Sequence, residues 1–348
     1  MNKKKSTPKK PTIYTIAEEL QINPGTVSRA LRNSPVVSIK LRKLIRQRAD
    51  ELNFTLRKFE PRVNNICALI ETSNKSDEFF SYFINESLAG MWDYCKNNDL
   101  ELSIYSETFD RLNSCDLLRI LGRRGINGVV TINARQKSGY FKSFHDQKFP
   151  YASLMTGPIK ASPWTFQTNS EELCFDATQH LLQRGHKRIA YLDTLSDFSV
   201  GSDRMKGYLH ALQKNQISED SSLIIKQSLA PTKLKDGYDF GSYFVEKLLS
   251  FSSPPTAFIT MNNEVAIGAL HQLKASGISV PQKAALLSFD NARFCEFASP
   301  PLSTIDIPYR KIASAAAACV HQRIEKGFSF VPATTLFPGE LLLRKSTL

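Results

Sequence analysis

The side chains of this 348-residue chain that are best suited to act on a partner lie near its start. From Pro24 to Arg32 the sequence reads Pro-Gly-Thr-Val-Ser-Arg-Ala-Leu-Arg. If Val27, Ala30 and Leu31 turn inward on a helix, Gly25, Thr26, Ser28, Arg29 and Arg32 share its outward side. Hydroxyls, guanidinium groups and a bare backbone are donors suited to phosphate oxygens and base edges. Charge points the same way. Residues 1–62 hold 15 Lys and Arg against 5 Asp and Glu, a net of +10, and the whole chain carries only +12. A basic head on a near-neutral body is the electrostatic footprint of polyanion binding. A basic segment that only aids solubility is the plainer alternative.

Three short helices are needed to hold those donors. Thr12 caps the first, whose stripe is Ile13, Ile16, Ala17 and Leu20. After the turn Gln21-Ile22-Asn23, Asn23 is a good N-cap, and Pro24 suits the first helical position because its missing N–H would be unbonded there. The second helix runs to about Leu31. Ser38 caps a third, with Leu41, Leu44, Ile45, Ala49 and Leu52 inward. Two helices joined by a three-residue turn form a helix-turn-helix, whose second helix enters the major groove. A generic three-helix bundle with a basic surface is the alternative.

From residue 66 onward short apolar runs alternate with amphipathic stretches. Strands are expected at 66–71, 100–106, 128–134, 151–155, 188–193, 222–228, 256–261, 284–290 and 302–307. Helices are expected at 82–97, 170–184, 202–214, 237–250, 262–276 and 308–325. The face Ile84, Leu88, Met91, Trp92, Cys95 reads as core. This alternation indicates parallel sheets with helices on both faces, and its length suits two doubly wound lobes. Ligands of such sheets bind beyond the carboxyl ends of the strands, here in the cleft between lobes. Asn169, Asn262 and Asn263 are expected at strand ends facing that cleft. Phe79, Phe80 and Trp164 are expected to give the flat contact a sugar ring needs, with ordinary packing as the alternative for each.

Other chemistries find no footing. The six cysteines are scattered without a CxxC pair, which fits a reducing cytosol and neither a disulfide framework nor a zinc site. The histidines show no HxH or HExxH spacing, and His186, in an Arg-Gly-His turn, reads as structural. There is no GxGxxG, GxxxxGK or GxSxG, so neither a cofactor, a metal nor an enzyme is expected. No apolar run approaches 18 residues, so no membrane partner is expected. No apolar segment follows the basic start, so a secretory signal is not expected either.

The sequence resembles the lactose-repressor (LacI/GalR) family of regulators. Residues 12–17, the run from Asn23 to Asn33, Val37-Ser38 and residues 49–54 look like that family's DNA-binding headpiece. The string Thr-Val-Ser-Arg-Ala-Leu-x-Asn is specific to it. His180 to Ala190, Arg204 to Tyr208, Asn262 to Gly268, Ser288 to Asn291, Pro301 to Ile305 and the ending at 340–347 extend the likeness over essentially the full chain. The resemblance implies an α/β protein with a three-helix helix-turn-helix headpiece (1–54) and a hinge or linker (55–65). A two-lobed body of parallel sheets, like periplasmic binding proteins, would occupy 66–348. Lobe 1 would comprise about 66–160 and 293–325, lobe 2 about 161–292 and 326–348, with crossings near 160, 292 and 325.

By position in the family, Pro24, Gly25 and Arg29 would read bases. Tyr14, Thr26, Ser28 and Asn33 would hold phosphates, and Leu56 or Phe59 would act as a minor-groove wedge. Pro61 costs about 3 kcal/mol inside a helix, so the hinge here reads as a basic linker at least as well. Arg204 and Asp290 match effector-binding positions. The expected protein is a cytoplasmic homodimer on a pseudo-palindromic double-stranded DNA operator, most simply a repressor, controlled by a small carbohydrate effector. Control by a protein partner, or a carbohydrate-binding or carbohydrate-processing protein with an incidental basic head, are the rivals.

Overall fold

A computed structural model describes residues 11–31, 37–52, 54, 64–72, 81–157, 164–195, 198–327 and 334–348. It divides into two compact units, Met1–Val63 and Asn64–Leu348.

The first unit holds α1 (Ile13–Glu19), α2 (Pro24–Leu31) and α3 (Ile39–Glu51). Ile16, Ala17, Val27, Ala30, Val37, Ile45 and Ala49 are its buried core. Three of the seven are alanines, which let backbones approach closely. Leu44, expected in the α3 stripe, is instead 50% exposed. Leu41, Ile45, Ala49 and Leu52 already define the inward face, and at 3.6 residues per turn Leu44 points roughly 95° away from it. Arg48 ties α3 to α1 through Glu19 (2.7 Å) and also binds Glu51 (2.6 Å).

The second unit contains two six-stranded sheets. Lobe 1 is built on β1 (Asn65–Thr72), β2 (Glu101–Thr108), β3 (Gly128–Ile132), β4 (Tyr151–Leu154), β5 (Thr165–Thr168) and β11 (Thr335–Phe337), in the order β2-β1-β3-β4-β5-β11, all parallel. Lobe 2 is built on β6 (Ile189–Asp193), β7 (Ile224–Lys226), β8 (Ala257–Thr260), β9 (Ala285–Phe289), β10 (Ser303–Asp306) and β12 (Glu340–Leu342). Its order is β7-β6-β8-β9-β10-β12, with only β12 antiparallel. The central strands β1, β3, β6, β8 and β9 are buried along almost their whole length, as strands covered on both faces must be.

The covering helices pack in pairs. α4 (Tyr82–Asn97) lies on α12 (Tyr309–Lys326), α8 (Ser170–Gln183) on α9 (Ser199–Lys214), and α10 (Gly237–Leu249) on α11 (Asn263–Ala275). α5 (Phe109–Ser114), α6 (Leu117–Arg123) and α7 (Tyr140–Asp146) complete lobe 1. Gly207 lets α9 sit directly on α8, since a β-carbon there would collide with the Glu171 carbonyl oxygen. Trp92 departs from its expected place: it is 57% exposed, while Ile84, Met91 and Cys95 on the same helix are buried.

Strand pairing places the crossings between lobes later than 160, 292 and 325. β5 still belongs to lobe 1, so the chain first crosses between Thr168 and the start of α8. β10 pairs with β9 in lobe 2, so the return falls between Asp306 and Tyr309. The last crossing lies between Phe337 and Glu340, because β11 pairs with β5 and β12 with β10. β5, β11 and β12 are three- and four-residue strands. They are too short to show a periodicity, so the first and last boundaries read early; at the middle one the sequence marks β10 as a strand but not which sheet it joins.

Candidate functional site: a donor-lined helix and an interlobe cleft

In the first unit the start of α1 is held by a reciprocal cap. Thr12 Oγ1 accepts from the Thr15 N–H (3.3 Å), and Thr15 Oγ1 accepts from the Thr12 N–H (3.1 Å). The turn passes through Gln21 in the left-handed region (φ 51°). Asn23 Oδ1 accepts from the Gly25 N–H at 2.8 Å and satisfies an otherwise orphaned donor at the start of α2. With Val27 and Ala30 in the core, Gly25 and Arg29 are exposed, and Pro24, Thr26 and Ser28 are half-buried. Tyr14 on α1 is 73% exposed. Arg32, Asn33 and Leu56, with Phe59 and Pro61, lie outside the described residues.

In the second unit a cavity of about 1150 Å³ opens between the lobes. Its walls are the carboxyl ends of strands from both sheets: Asn133 and Ala134 after β3, Met155 after β4, Thr194 after β6, Asn262 after β8 and Asp290 after β9. This is the position that parallel-sheet topology assigns to a ligand.

Arg204 reaches it from α9. The side chain is 2% exposed, its Nη1 donates to the Met261 carbonyl oxygen at 2.7 Å, and its guanidinium lies 3.8 Å from the Phe289 ring centroid. Arg204 Nε and Thr194 Oγ1 are buried and meet no hydrogen-bond partner among the described residues. A buried polar group without a partner costs roughly 1–3 kcal/mol, and both groups belong to residues lining the cavity. Asp290 sits in the left-handed region (φ 70°) and accepts from the Tyr309 hydroxyl at 2.5 Å. Burial pushes its carboxyl above the usual carboxylate range, against the opposing pull of Arg204 and the Tyr309 hydroxyl.

Asn263 lines the cavity but is mostly committed elsewhere. Its Nδ2 donates to the Phe289 carbonyl (2.7 Å) and Ser288 Oγ (3.2 Å), and its Oδ1 accepts from the Ala292 N–H (2.8 Å). It braces the turn that presents Asp290. Asn262 Oδ1 caps α11 by accepting from the Val265 N–H (2.9 Å). Two expected residues stand away from the cleft. Asn169 is exposed and caps α8 through the Glu172 N–H (3.4 Å). Trp164 opens β5 inside lobe 1, with Arg323 stacked 3.3 Å from its ring centroid and Tyr151 edge-on at 5.3 Å. Phe79 and Phe80 lie outside the described residues. Aromatic residues that do line the cavity include Tyr82, Phe83, Phe198, Phe294, Phe297 and Tyr309, with Phe83 and Tyr309 centroids 4.9 Å apart. Asn133, Thr194 and Tyr309 were missed. Asn133 follows the apolar end of its strand closely, and a polar residue just past such a run was the readable signal.

His186 does hold a turn, with Nδ1 3.1 Å from Thr256 Oγ1. No cluster of potential metal ligands occurs among the described residues. No described helix is long and apolar enough to cross a membrane.

The model of the periplasmic binding protein-like domain family matches residues 178–347. The "NTD biosynthesis operon regulator NtdR" of Bacillus subtilis is 26% identical over 97% of this chain and 100% of its own length. The "HTH-type transcriptional repressor CytR" of Escherichia coli K12 is 25% identical over 97% of this chain and 96% of its own. The relatives that match over nearly the whole chain are named as regulators and repressors of transcription. Solved structures of transcriptional regulators share its fold. A regulatory protein of the LacI family from Chloroflexus aggregans gives a TM-score of 0.71 at 22% identity, covering 81% of this chain and 98% of that one. The structure described as the "transcriptional regulator CelR-cellobiose complex" gives 0.70 at 22% identity, covering 97% and 99%. These likenesses show the fold: helices at the amino terminus and a type I binding-protein body.

Proposed function

We propose that the protein is a sequence-specific DNA-binding transcriptional regulator, a repressor in the simplest reading, controlled by a small ligand in the interlobe cleft. One observation carries the DNA reading: α2 keeps Val27 and Ala30 in the core while Gly25 and Arg29 stand in solvent, as does Tyr14 on α1. Arg29 is the side chain suited to bidentate contact with guanine, and Thr26, Ser28 and Tyr14 are suited to phosphates. Arg32 keeps its reading as an outward donor, and Asn33 and Leu56 the roles that the resemblance implies.

The effector reading rests on Arg204 Nε and Thr194 Oγ1, buried in the cleft wall with no protein partner among the described residues. With Asp290, Asn262, Asn263 and Asn133 beside aromatic walls, this donor and acceptor set suits the hydroxyls and flat face of a carbohydrate or sugar derivative. Relatives named for a ribose operon and for a cellobiose complex agree with that class. The protein is not an enzyme in this reading and works in the cytoplasm, where its DNA is. It acts as a homodimer on a pseudo-palindrome, because one headpiece contacts too little DNA to be selective. A large apolar group at the body surface, Trp92 at 57% exposure, suits cover by a second copy.

The test is selection of duplexes bound by full-length protein from a random pool, with and without a panel of sugars. Enrichment of an inverted repeat, altered by one sugar, is expected. A pool that stays random at moderate ionic strength removes the reading.

A further inference from the structure

Glu71, the penultimate residue of β1, is fully buried, and its carboxylate is saturated with donors. Oε1 accepts from Arg135 Nη1 (2.7 Å) and from the Arg135 N–H (3.2 Å); Oε2 accepts from Ser138 Oγ (2.6 Å) and the Tyr140 hydroxyl (2.9 Å). A buried charge is tolerable only when paired and bonded in this way. The consequence is that Arg135 is pinned: its backbone and its guanidinium are both held by one carboxylate.

The pinned guanidinium faces both lobes. Its carbon lies 5.1 Å from the ring centroid of Phe109 in lobe 1 and 5.3 Å from that of Phe198. Phe198 belongs to lobe 2, lines the cleft and caps α9, the helix that carries Arg204. Its carbonyl accepts from the Gly201 (3.1 Å) and Ser202 (3.3 Å) N–H groups. Beside it, Ser199 Oγ donates to the Met155 carbonyl oxygen of lobe 1 at 3.5 Å. At Gly157 a β-carbon would lie 2.9 Å from both Ser199 Oγ and Gln136 Nε2, so the Arg135 loop, the turn after β4 and the start of α9 converge.

From this geometry we infer that Arg135 is an interlobe strut. Glu71 fixes the guanidinium, the guanidinium holds the face of Phe198, and the first turn of α9 is thereby clamped to lobe 1. The strut sets the width of the cleft and the placement of Arg204 before any ligand arrives. A ligand that changes the lobe spacing must work with or against it. Only that regulatory consequence rests on the cleft being the ligand site.

The test is hydrogen–deuterium exchange on the full-length chain without DNA or ligand, comparing wild type, Phe198→Leu and Phe198→Tyr. Leucine keeps an apolar side chain and loses the ring; tyrosine keeps the ring. A cation–π contact of this burial is worth a factor of roughly three to thirty. Phe198→Leu is expected to speed exchange by that factor in the segment 198–204 and also across the cleft in 133–139 and 153–157. Phe198→Tyr is expected to match wild type. Acceleration confined to lobe 2, no acceleration, or equal behaviour of the two variants overturns the strut. Because the measurement needs no DNA and no sugar, a failed operator selection and a failed strut are separate results.

Discussion

Replacing Arg204 with methionine separates a ligand-binding arginine from a structural one. The guanidinium gains one charge-assisted hydrogen bond to Met261, one stacking contact on Phe289 and the attraction of the buried Asp290 carboxyl. The bond is worth about 1.5–3 kcal/mol and the contact about 2 kcal/mol when desolvated. Against these stand the desolvation of a buried cation, of order several kcal/mol, and the unmet Nε donor, at roughly 1–3 kcal/mol. The terms nearly cancel, and methionine fills similar volume with apolar surface. Arg204→Met is therefore expected to shift unfolding stability by less than about 2 kcal/mol while abolishing the response to ligand. Urea unfolding of the full chain measures the first quantity, and thermal stabilisation across a sugar panel the second. A loss of about 4 kcal/mol or more would make Arg204 a core residue of lobe 2. A retained thermal shift in the variant would place the ligand elsewhere. Either result refutes the argument from the orphaned donor.

Three further outcomes are expected. Arg29→Ala should cost about 1–3 kcal/mol at the selected operator and relax the preference at one base position; unchanged selectivity in competition binding would remove Arg29 from base readout. Deleting residues 1–10, which contain five lysines, should weaken binding to all duplexes alike and flatten the dependence of log K on log salt; a loss confined to one sequence would contradict a purely electrostatic role. Because the folded Asp290 carboxyl is held above its ordinary value, its contribution is fully present below the unfolded aspartate value and is lost as pH rises through the folded one. Asp290→Asn should therefore be more stable than wild type at neutral pH, with the advantage vanishing on acidification. An advantage that grows in acid would reverse the sign of the argument.

The headpiece was legible almost to the residue, because its signals are local. A capping threonine, an Asn-Pro start and apolar spacings of three and four leave little choice to a short helix. Leu44 was misread because periodicity marks a stripe without saying how wide the partner is. The long helices and central strands of the body were equally clear. What failed was whatever depends on neighbours distant in sequence. Trp164 had the chemistry of a sugar platform, yet β5 turns it onto α12, where Arg323 covers it. Asn169 stands at a strand end, but the chain changes lobes there and the side chain caps α8. Asn263 has an amide that could serve a ligand, and the turn from Phe289 to Ala292 consumes most of it. Glu71 and Arg135 are 64 positions apart, and no local pattern joins them.

The distribution of cleft groups between lobes bears on how a ligand could exert control. Arg204, Thr194, Asn262 and Asp290 belong to lobe 2, whereas Asn133 and Phe83 belong to lobe 1. A ligand held by the lobe 2 groups alone binds open and closed forms equally and shifts nothing, however tightly it binds. Only contacts added from lobe 1 on closure discriminate between the forms. Each such hydrogen bond is worth about 1 kcal/mol net, so two or three give a preference of roughly thirty- to one-hundred-and-fifty-fold, at the upper end of the usual coupling between sites. The three crossings, near 169, 307 and 338, tie both sheets together at neighbouring strand ends. That restraint favours hinge-like motion over sliding, and it makes the lobe 1 residues at the cleft, more than Arg204 itself, the place where affinity is converted into response.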